Sequence, residues 1–286
     1  MRNLIFVSTL FISSAAAAQD YSSVAGLSGE ALKAGLHELI DDHKYFEYTT
    51  RGNNDWYDKQ KMDVWEALVW TDAACGGAEP CDQVHLLYLD SPRKVAKANR
   101  GPGGSDSWER EHVWPKSRGF PAKKTHGYTD LHHLRPADRN INGKHSNYGY
   151  FDGTLGTVDV EEVIDKDPSG DTPSGALINT TADWFEPTDA AKGQIARMIF
   201  YMDVRYDGRD TATTSMPDLK IAHGNAREKE PFIGDLCTLL DWNSRFPVAP
   251  IEIQRNARIE QIQGNRNPFI DNPAFADAIW GANCTP

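Results

Sequence analysis

Two neighbouring side chains, Glu111 and His112, are of the types that metal-assisted proton transfer needs. A carboxylate oxygen can bind a hard divalent cation, and a neutral imidazole is a base of suitable pKa near physiological pH. In an extended backbone the two side chains would leave on opposite faces of the strand. One residue could then bind a cation while the other accepts a proton.

A polar run further along the chain contains three asparagines, Asn140, Asn142 and Asn147. Pro136 and Asp138 precede it, which is typical of a turn into a short helix. A helix packed against the strand of Glu111 could direct an amide oxygen at the same cation. These groups suit phosphodiester hydrolysis, which needs a deprotonated water, a hard cation on the phosphate and a stabilised leaving oxygen.

Four blocks of sequence, in this order, resemble the endonuclease I family. They are REHVWPKS, DLHHLRPADRNINGKHSN, residues 185–206 and residues 255–281. The resemblance covers most of the chain between residues 86 and 281. This family comprises periplasmic and secreted bacterial nucleases with a ββα-metal (His-Me finger) site. The resemblance therefore implies an α+β fold with a mainly helical body around that core.

The resemblance also implies roles for individual residues. His112 would be the general base, and Glu111 and Asn142 would bind Mg²⁺, with Mn²⁺ or Ca²⁺ as alternatives. His133 would steady the loop that carries the base, and the products would carry 5′-phosphates. The chain departs from the family pattern at Tyr128, where some members have an acid, and at residues 246–248, where a DPV-type sequence is replaced by Phe-Pro-Val.

Arg135 and Arg139 follow the second metal-site strand closely. Either can hold a phosphate oxygen or the transition state, since guanidinium forks match phosphate geometry, and Arg135 is our catalytic candidate. Four histidines offer an alternative, a transition-metal cluster, although their spacing matches no familiar zinc pattern. They are His126, His132, His133 and His145.

The N-terminus has the pattern of a secretory signal peptide over residues 1–18, followed by one nuclease-like domain over residues 19–286. All four cysteines lie after the predicted cleavage site, which allows two disulfides in an oxidising compartment and three pairings. The short loop between Cys75 and Cys81 favours that pair and leaves Cys237 with Cys284. A zinc site on these cysteines is the rival interpretation, but the usual CxxC spacing is missing. We expect a periplasmic or secreted monomer without a membrane span.

Charge is distributed unevenly along the chain. The formal net charge is −11, yet residues 110–145 contain eight Lys and Arg against three acids. The negative net charge excludes a generally basic protein that coats DNA. Contact with nucleic acid, through its phosphate backbone, would then be confined to the site and would weaken as salt rises.

Apolar periodicity predicts the elements that position the site. We expect helices over residues 27–43, 58–73, 234–243 and 250–263, and a long core helix with Pro187 in its first turn. Strands are expected over residues 83–90, 108–114 and 131–134, and residues 151–181 are interpreted as a surface connection with a hairpin at Asp152 and Gly153. Arg197 and Arg205 are expected to be buried ion-pair partners rather than DNA contacts. Arg266 is expected to fix the C-terminal tail, and a position near the phosphates is the alternative.

Three functions compete at this point. The first is a metal-dependent endonuclease with little sequence preference, acting on DNA, with RNA left open. The second is a secreted binding module that keeps the fold without catalysis, although His112, Glu111 and Asn142 are all present. The third is a zinc-dependent phosphoesterase that uses the additional histidines.

Overall fold

A long helix, α5 (Asp189–Arg205), runs through the middle of the molecule, and fifteen of its residues are buried. A helix surrounded on all sides belongs in a core. The computed structural model describes residues 19–49, 62–75, 81–89, 91–94, 99–104, 107–152, 159–167, 170–209, 216–224 and 230–284. The predicted signal peptide, residues 1–18, lies outside the described residues. Thr188 precedes the helix, so Pro187 stands just before its first turn rather than in it.

Helices from both ends of the chain surround α5 and complete the main core. Arg197 of α5 is fully buried and forms two hydrogen bonds of 2.7 Å with Glu252, which confirms the predicted ion pair. Gly193 lies where α5 passes Phe246, and a Cβ there would approach the Phe246 carbonyl oxygen to 2.5 Å. The surrounding helices are α1 (Gly29–Ile40), α6 (Leu236–Arg245), α7 (Pro250–Gln263), α8 (Pro268–Asp271) and α9 (Ala274–Trp280).

A second, smaller core lies beneath the candidate site. Helix α2 (Val64–Thr71) packs there against α7. Its start is fixed by a capping box, in which Asp63 accepts a hydrogen bond from the Trp65 amide and Glu66 accepts one from the Asp63 amide. The predicted helix began at residue 58, but residues 58–61 lie outside the described part of the chain.

Two antiparallel strands and the helix that follows them form the ββα unit. Strand β3 (Trp108–His112) pairs with β4 (Leu134–Asp138) so that Glu111 faces Arg135 and His112 faces Leu134. Helix α4 (Arg139–His145) begins at once, because the Asp138 side chain accepts hydrogen bonds from the amides of Asn140 and Ile141. A short helix, α3 (His126–Thr129), lies in the excursion between the strands.

The second strand was predicted at residues 131–134, and this prediction was wrong. Residues 131–133 form a turn, and the strand only begins at Leu134. Asp130 causes the turn, since its side chain accepts from the His132 amide at 2.9 Å and its carbonyl accepts from the Leu134 amide at 3.2 Å. Pro136 lies inside the strand because, among the described strands, β4 pairs with β3 alone, so its missing amide hydrogen leaves no neighbour unpaired.

The interpretation of residues 151–181 as a connection also needs correction. This region contains β6 (Val160–Asp165) and β7 (Thr172–Asn179), which form a four-stranded sheet with β5 (Gly149–Tyr150) and β8 (Trp184–Glu186) in the order β5-β8-β7-β6. The predicted hairpin at Asp152 and Gly153 lies partly outside the described residues. Two small sheets remain: β1 (Gln83–Leu86) pairs with β2 (Ser91–Lys94), and β9 (Lys220–Ile221) pairs with β10 (Phe232–Ile233).

Both predicted disulfides are present, Cys75–Cys81 and Cys237–Cys284. The second connects α6 to the C-terminal residues, which α9 holds against the core. Within the described residues, no helix combines the length and apolar character that crossing a membrane requires. The α+β fold class is confirmed.

Candidate active site

Glu111, His112 and Asn142 all line one cleft of about 270 Å³. Glu111 and His112 are 3% and 6% exposed, so each presents only a small part of its side chain to the cleft. They are neighbours at the end of β3, and both line the cleft. The other lining residues are Arg110, Pro115, Lys116, Ser117, Ser146 and Asn147.

His112 has a defined tautomer. Its Nε2 lies 3.0 Å from the carbonyl oxygen of Tyr128, which can only accept, so Nε2 carries the proton. Nδ1 is then the unprotonated nitrogen, and it makes no hydrogen bond with any described residue. Burial lowers the pKa of His112 well below its usual value, and the neighbouring His133 lowers it further. The ring is therefore neutral at physiological pH and can accept a proton.

Two buried side chains hold one carboxylate oxygen of Glu111. Its Oε1 accepts a hydrogen bond from Tyr88 Oη at 2.6 Å and lies 2.7 Å from His145 Nδ1. His145 is itself stacked on Tyr150, with ring centroids 5.1 Å apart. All four residues are buried. This arrangement leaves the second carboxylate oxygen, Oε2, without a hydrogen bond to any described residue.

Asn142 reaches the cleft from α4, and its amide nitrogen faces Glu109. Its Nδ2 donates to Glu109 Oε2 at 3.5 Å. Because a carboxylate can only accept, the amide nitrogen must face Glu109, and this turns Oδ1 away from it. Oδ1 has no hydrogen-bond partner among the described residues.

These residues fit a hard divalent cation. Glu111 offers a carboxylate oxygen and Asn142 an amide oxygen, the ligands that Mg²⁺ and Ca²⁺ prefer. A cleft of about 270 Å³ also leaves space for several waters, as Mg²⁺ requires because it dehydrates reluctantly. The donor set contains no sulfur, which argues against a soft metal.

His133 lies behind the proposed base rather than in the cleft. It is fully buried, its Nε2 lies 2.7 Å from the Gly127 carbonyl, and its ring is centred 5.5 Å from that of His112. His112 and His133 thus bind successive carbonyls, of Tyr128 and Gly127, in the same short helix α3. His133 can position the base but does not line the cleft.

The prediction that Arg135 contacts phosphate is not supported, and we correct it. Arg135 is 1% exposed, and its guanidinium bonds Asp72 at 2.7 Å and Gln194 at 2.9 Å. Asp72 also binds Arg255 of α7, so these charges form a buried network beneath the site. The arginine that does line the cleft is Arg110, whose guanidinium lies 3.5 Å from the ring centre of Tyr48.

The histidine cluster that a zinc site would need does not form. His132 contacts the Asn265 carbonyl, His145 contacts Glu111, and His126 packs beside His43. Across the described residues, the one group of three or more His, Cys, Asp or Glu with ligand atoms close together is His223 with Cys237 and Cys284. Those two cysteines form a disulfide and offer no thiolate.

Sequence reasoning missed Tyr88, Tyr150 and Glu109. Tyr88 lies just after strand β1 in a stretch that reads as plain apolar core, so nothing nearby marks its hydroxyl as a partner of Glu111. Glu109 stands two residues before Glu111, and an alternating strand places such residues on one face. That spacing was the one available signal for its contact with Asn142.

Comparisons with known proteins identify relatives of this chain. The family model described as Endonuclease I matches residues 28–274. An extracellular ribonuclease of Bacillus subtilis (strain 168) is 38% identical over 262 residues, which cover 91% of this chain and 77% of that protein. The extracellular ribonuclease of Bacillus amyloliquefaciens is 36% identical over 261 residues, with the same coverage. An extracellular deoxyribonuclease of Aeromonas hydrophila is 28% identical over 252 residues, covering 84% of this chain and 88% of that protein.

The family model spans the ββα unit, the core helix α5 and the helices that carry the buried network. Its members are divalent-metal-dependent nucleases, and the relatives just described are extracellular enzymes by name. The chain belongs to the endonuclease I family of secreted nucleases that hydrolyse nucleic acids.

Proposed function

We propose that this protein is a Mg²⁺-dependent endonuclease that hydrolyses phosphodiester bonds of DNA, and also of RNA, with little sequence preference. One observation carries the proposal: Glu111, His112 and Asn142 line a single cleft. The leader-like residues 1–18 support export, which agrees with the names of the relatives.

His112 acts as the general base in this proposal. With Nε2 committed to the Tyr128 carbonyl, Nδ1 takes a proton from the water that attacks phosphorus. Glu111 and Asn142 would hold the cation through Oε2 and Oδ1. When bound, a divalent cation neutralises charge on the scissile phosphate and on the leaving oxygen. Arg110 and Lys116 line the same cleft and add positive charge beside the phosphate.

The substrate range rests on two considerations. The site offers cations and hard oxygens, which contact the phosphate backbone that DNA and RNA share, and backbone contacts carry little sequence information. Relatives named ribonucleases and relatives named deoxyribonucleases both match this chain, which supports activity on both nucleic acids.

Cleavage of a supercoiled plasmid and of a long RNA tests the proposal. We expect both to be cleaved with Mg²⁺ and neither with EDTA. The His112→Ala variant should lose at least about 100-fold in rate, because a general base contributes that much or more. The matched control is His223→Ala, at an exposed histidine outside the cleft. The products should be ligatable without kinase treatment if they carry 5′-phosphates.

Other results would favour the competing functions. Cleavage that survives both EDTA and His112→Ala would refute the assignment of base and metal. Stoichiometric, tightly held zinc in the purified protein would favour a zinc phosphoesterase. Plasmid binding without cleavage at any Mg²⁺ concentration would favour a binding module.

A further inference from the structure

A second depression lies beside the candidate active site and shares helix α4 with it. This groove has a volume of about 530 Å³. Asn142 of α4 and Ser146, which follows the helix, line the cleft, whereas other residues of α4 line the groove. The groove is lined by Gly103, Gly104, Arg139, Asn140, Gly143, Lys144 and Lys166.

The lining of the groove is positive in a chain of net charge −11. Arg139, Lys144 and Lys166 contribute three cations, and no Asp or Glu is among the described residues that line it. Arg139 lies 3.2 Å from Glu109, and Lys166 lies 2.7 Å from Asp171, so carboxylates outside the groove partly balance these two. Lys144 is exposed and forms no ion pair with any described residue.

The groove is also accessible to a bulky anion. Three of its lining residues are glycines, which have no side chain to obstruct an approaching phosphate. A Cβ built on Gly143 would meet no atom within 4 Å, so the space above α4 is open at this point. Arg139 donates to the Gly103 carbonyl at 3.1 Å, which holds its guanidinium along the wall.

One strand of nucleic acid could contact the cleft and the groove together, because residues of α4 line both. The diameter of such a helix with side chains, about 10 Å, sets the order of magnitude of the distance between the two depressions. Successive nucleotides of one strand rise by about 3.4 Å along the axis. A strand whose scissile phosphate lies in the cleft would therefore place a phosphate two to three nucleotides away over the groove, at about that spacing.

We propose that this groove binds a backbone phosphate of the substrate strand two to three nucleotides from the scissile bond, with Lys144 as its principal contact. This inference rests on the proposed function and extends it from one phosphate to a length of strand. The enzyme then favours substrates long enough to reach both depressions over very short ones.

The test measures binding, so it does not depend on cleavage. In the His112→Ala background with EDTA, fluorescence anisotropy gives the affinity for labelled single strands of 3 and 12 nucleotides. Lys144→Gln should weaken the 12-mer about fivefold at 0.1 M salt, the value of one phosphate contact, and leave the 3-mer within about twofold. The slope of log affinity against log salt should fall in magnitude by about 0.7 for the 12-mer.

Lys220→Gln is the matched control, because Lys220 is an exposed lysine whose side chain is 52% accessible and it lines neither depression. Equal effects of Lys144→Gln and Lys220→Gln on the 12-mer would overturn the inference. An equal loss of affinity for both strand lengths would also overturn it, because that result indicates a site for a free phosphate. An unchanged salt slope would overturn it as well. Failure of the proposed function is detected by a different experiment, the plasmid assay, in which cleavage would then not depend on Mg²⁺ or His112.

Discussion

At the scale of single residues, burial sets the protonation state of His112. Its pKa is lowered well below the usual value of about 6.5, first by burial and then by His133. A cation nearby would lower this pKa further, since it also disfavours the imidazolium. The neutral, active form of the base therefore persists into mildly acidic solution.

We accordingly predict that the acidic limb of the profile of kcat/KM against pH has its midpoint below pH 6.5. The measurement is cleavage of a short phosphodiester at saturating Mg²⁺ between about pH 4.5 and 8, within the range where circular dichroism shows a folded protein. His112→Ala should remove this limb together with most of the rate. A midpoint at or above 6.5 would contradict the proposed role.

Tyr88 should control the metal requirement without touching the substrate. Its hydroxyl holds Oε1 of Glu111 at 2.6 Å and so directs Oε2 towards the cleft. Partners of this kind typically contribute about 10- to 100-fold to metal affinity. We predict that Tyr88→Phe raises the Mg²⁺ concentration for half-maximal activity at least about tenfold while kcat at saturating Mg²⁺ changes little.

The control for Tyr88 is Tyr21→Phe. Tyr21 also donates a hydroxyl to a carboxylate, Asp271 at 2.7 Å, but it lies outside the cleft. This variant should leave the Mg²⁺ dependence unchanged. If Tyr88→Phe lowered kcat at saturating Mg²⁺ and left the metal requirement unaltered, Tyr88 would act on the chemistry rather than on Glu111.

At the scale of elements, the local part of the site could be predicted and the long-range part could not. Glu111, His112 and Asn142 reach one cleft because β3, β4 and α4 follow each other closely and pack as one unit. The position of Arg135 depends instead on Asp72 and Gln194, which are far away in the chain. No local pattern indicates such partners.

The same distinction explains which elements the sequence predicts well. Helix α7 has both predicted bounds, because Pro250 stands at its start and Gly264 ends it in the left-handed conformation with φ of 100°. The start of β4 was misplaced because the side chain of Asp130 makes a turn that strand propensity does not reveal. Strands β6 and β7 were missed because most of β6 is exposed, so its sequence lacks the buried alternation of an ordinary strand.

The ion pair between α5 and α7 yields a prediction at this scale. Glu252 accepts two hydrogen bonds from Arg197, and both side chains are buried. Removing one charge of a buried pair leaves the other uncompensated, which costs about 3–5 kcal/mol. We predict that Glu252→Gln lowers the free energy of unfolding in urea by about 3 kcal/mol.

An exposed pair in α6 provides the comparison. Arg245 lies 2.8 Å from Asp241 one turn away, and both side chains are about half exposed. Solvent screens such a pair, so Asp241→Asn should leave the free energy of unfolding unchanged within the error of the measurement. Similar losses in the two variants would mean that burial does not distinguish the pairs.

At the scale of the whole molecule, histidines are embedded in the core rather than spread over the surface. Burial is the main cause that lowers the pKa of His43 to about 3 and of His132 and His133 to about 4. Asp130 opposes this shift in all three. The pKa of Glu66 is shifted upward instead, to about 7, first by burial and then by Asp63.

These shifts predict a protein that loses stability in mild acid. Between about pH 6.5 and 4, four histidines bind protons in the unfolded chain but not in the core: His43, His112, His132 and His133. Unfolding therefore takes up protons and becomes easier as pH falls. Glu66 offsets one of these protons because its carboxyl is already protonated in the folded state. The net uptake near pH 5 is then about three protons, each lowering the free energy of unfolding by about 1.4 kcal/mol per pH unit.

Urea unfolding at pH 7, 6 and 5 measures this slope directly. His43→Gln should reduce the slope by about one proton whatever it does to stability at pH 7, because the variant has one fewer group that must stay neutral in the core. An exposed histidine again provides the control, and His223→Ala should leave the slope unchanged. A protein equally stable at pH 5 and pH 7 would show that the core admits protonated imidazoles, and the neutral state assigned to His112 would then lose its physical basis.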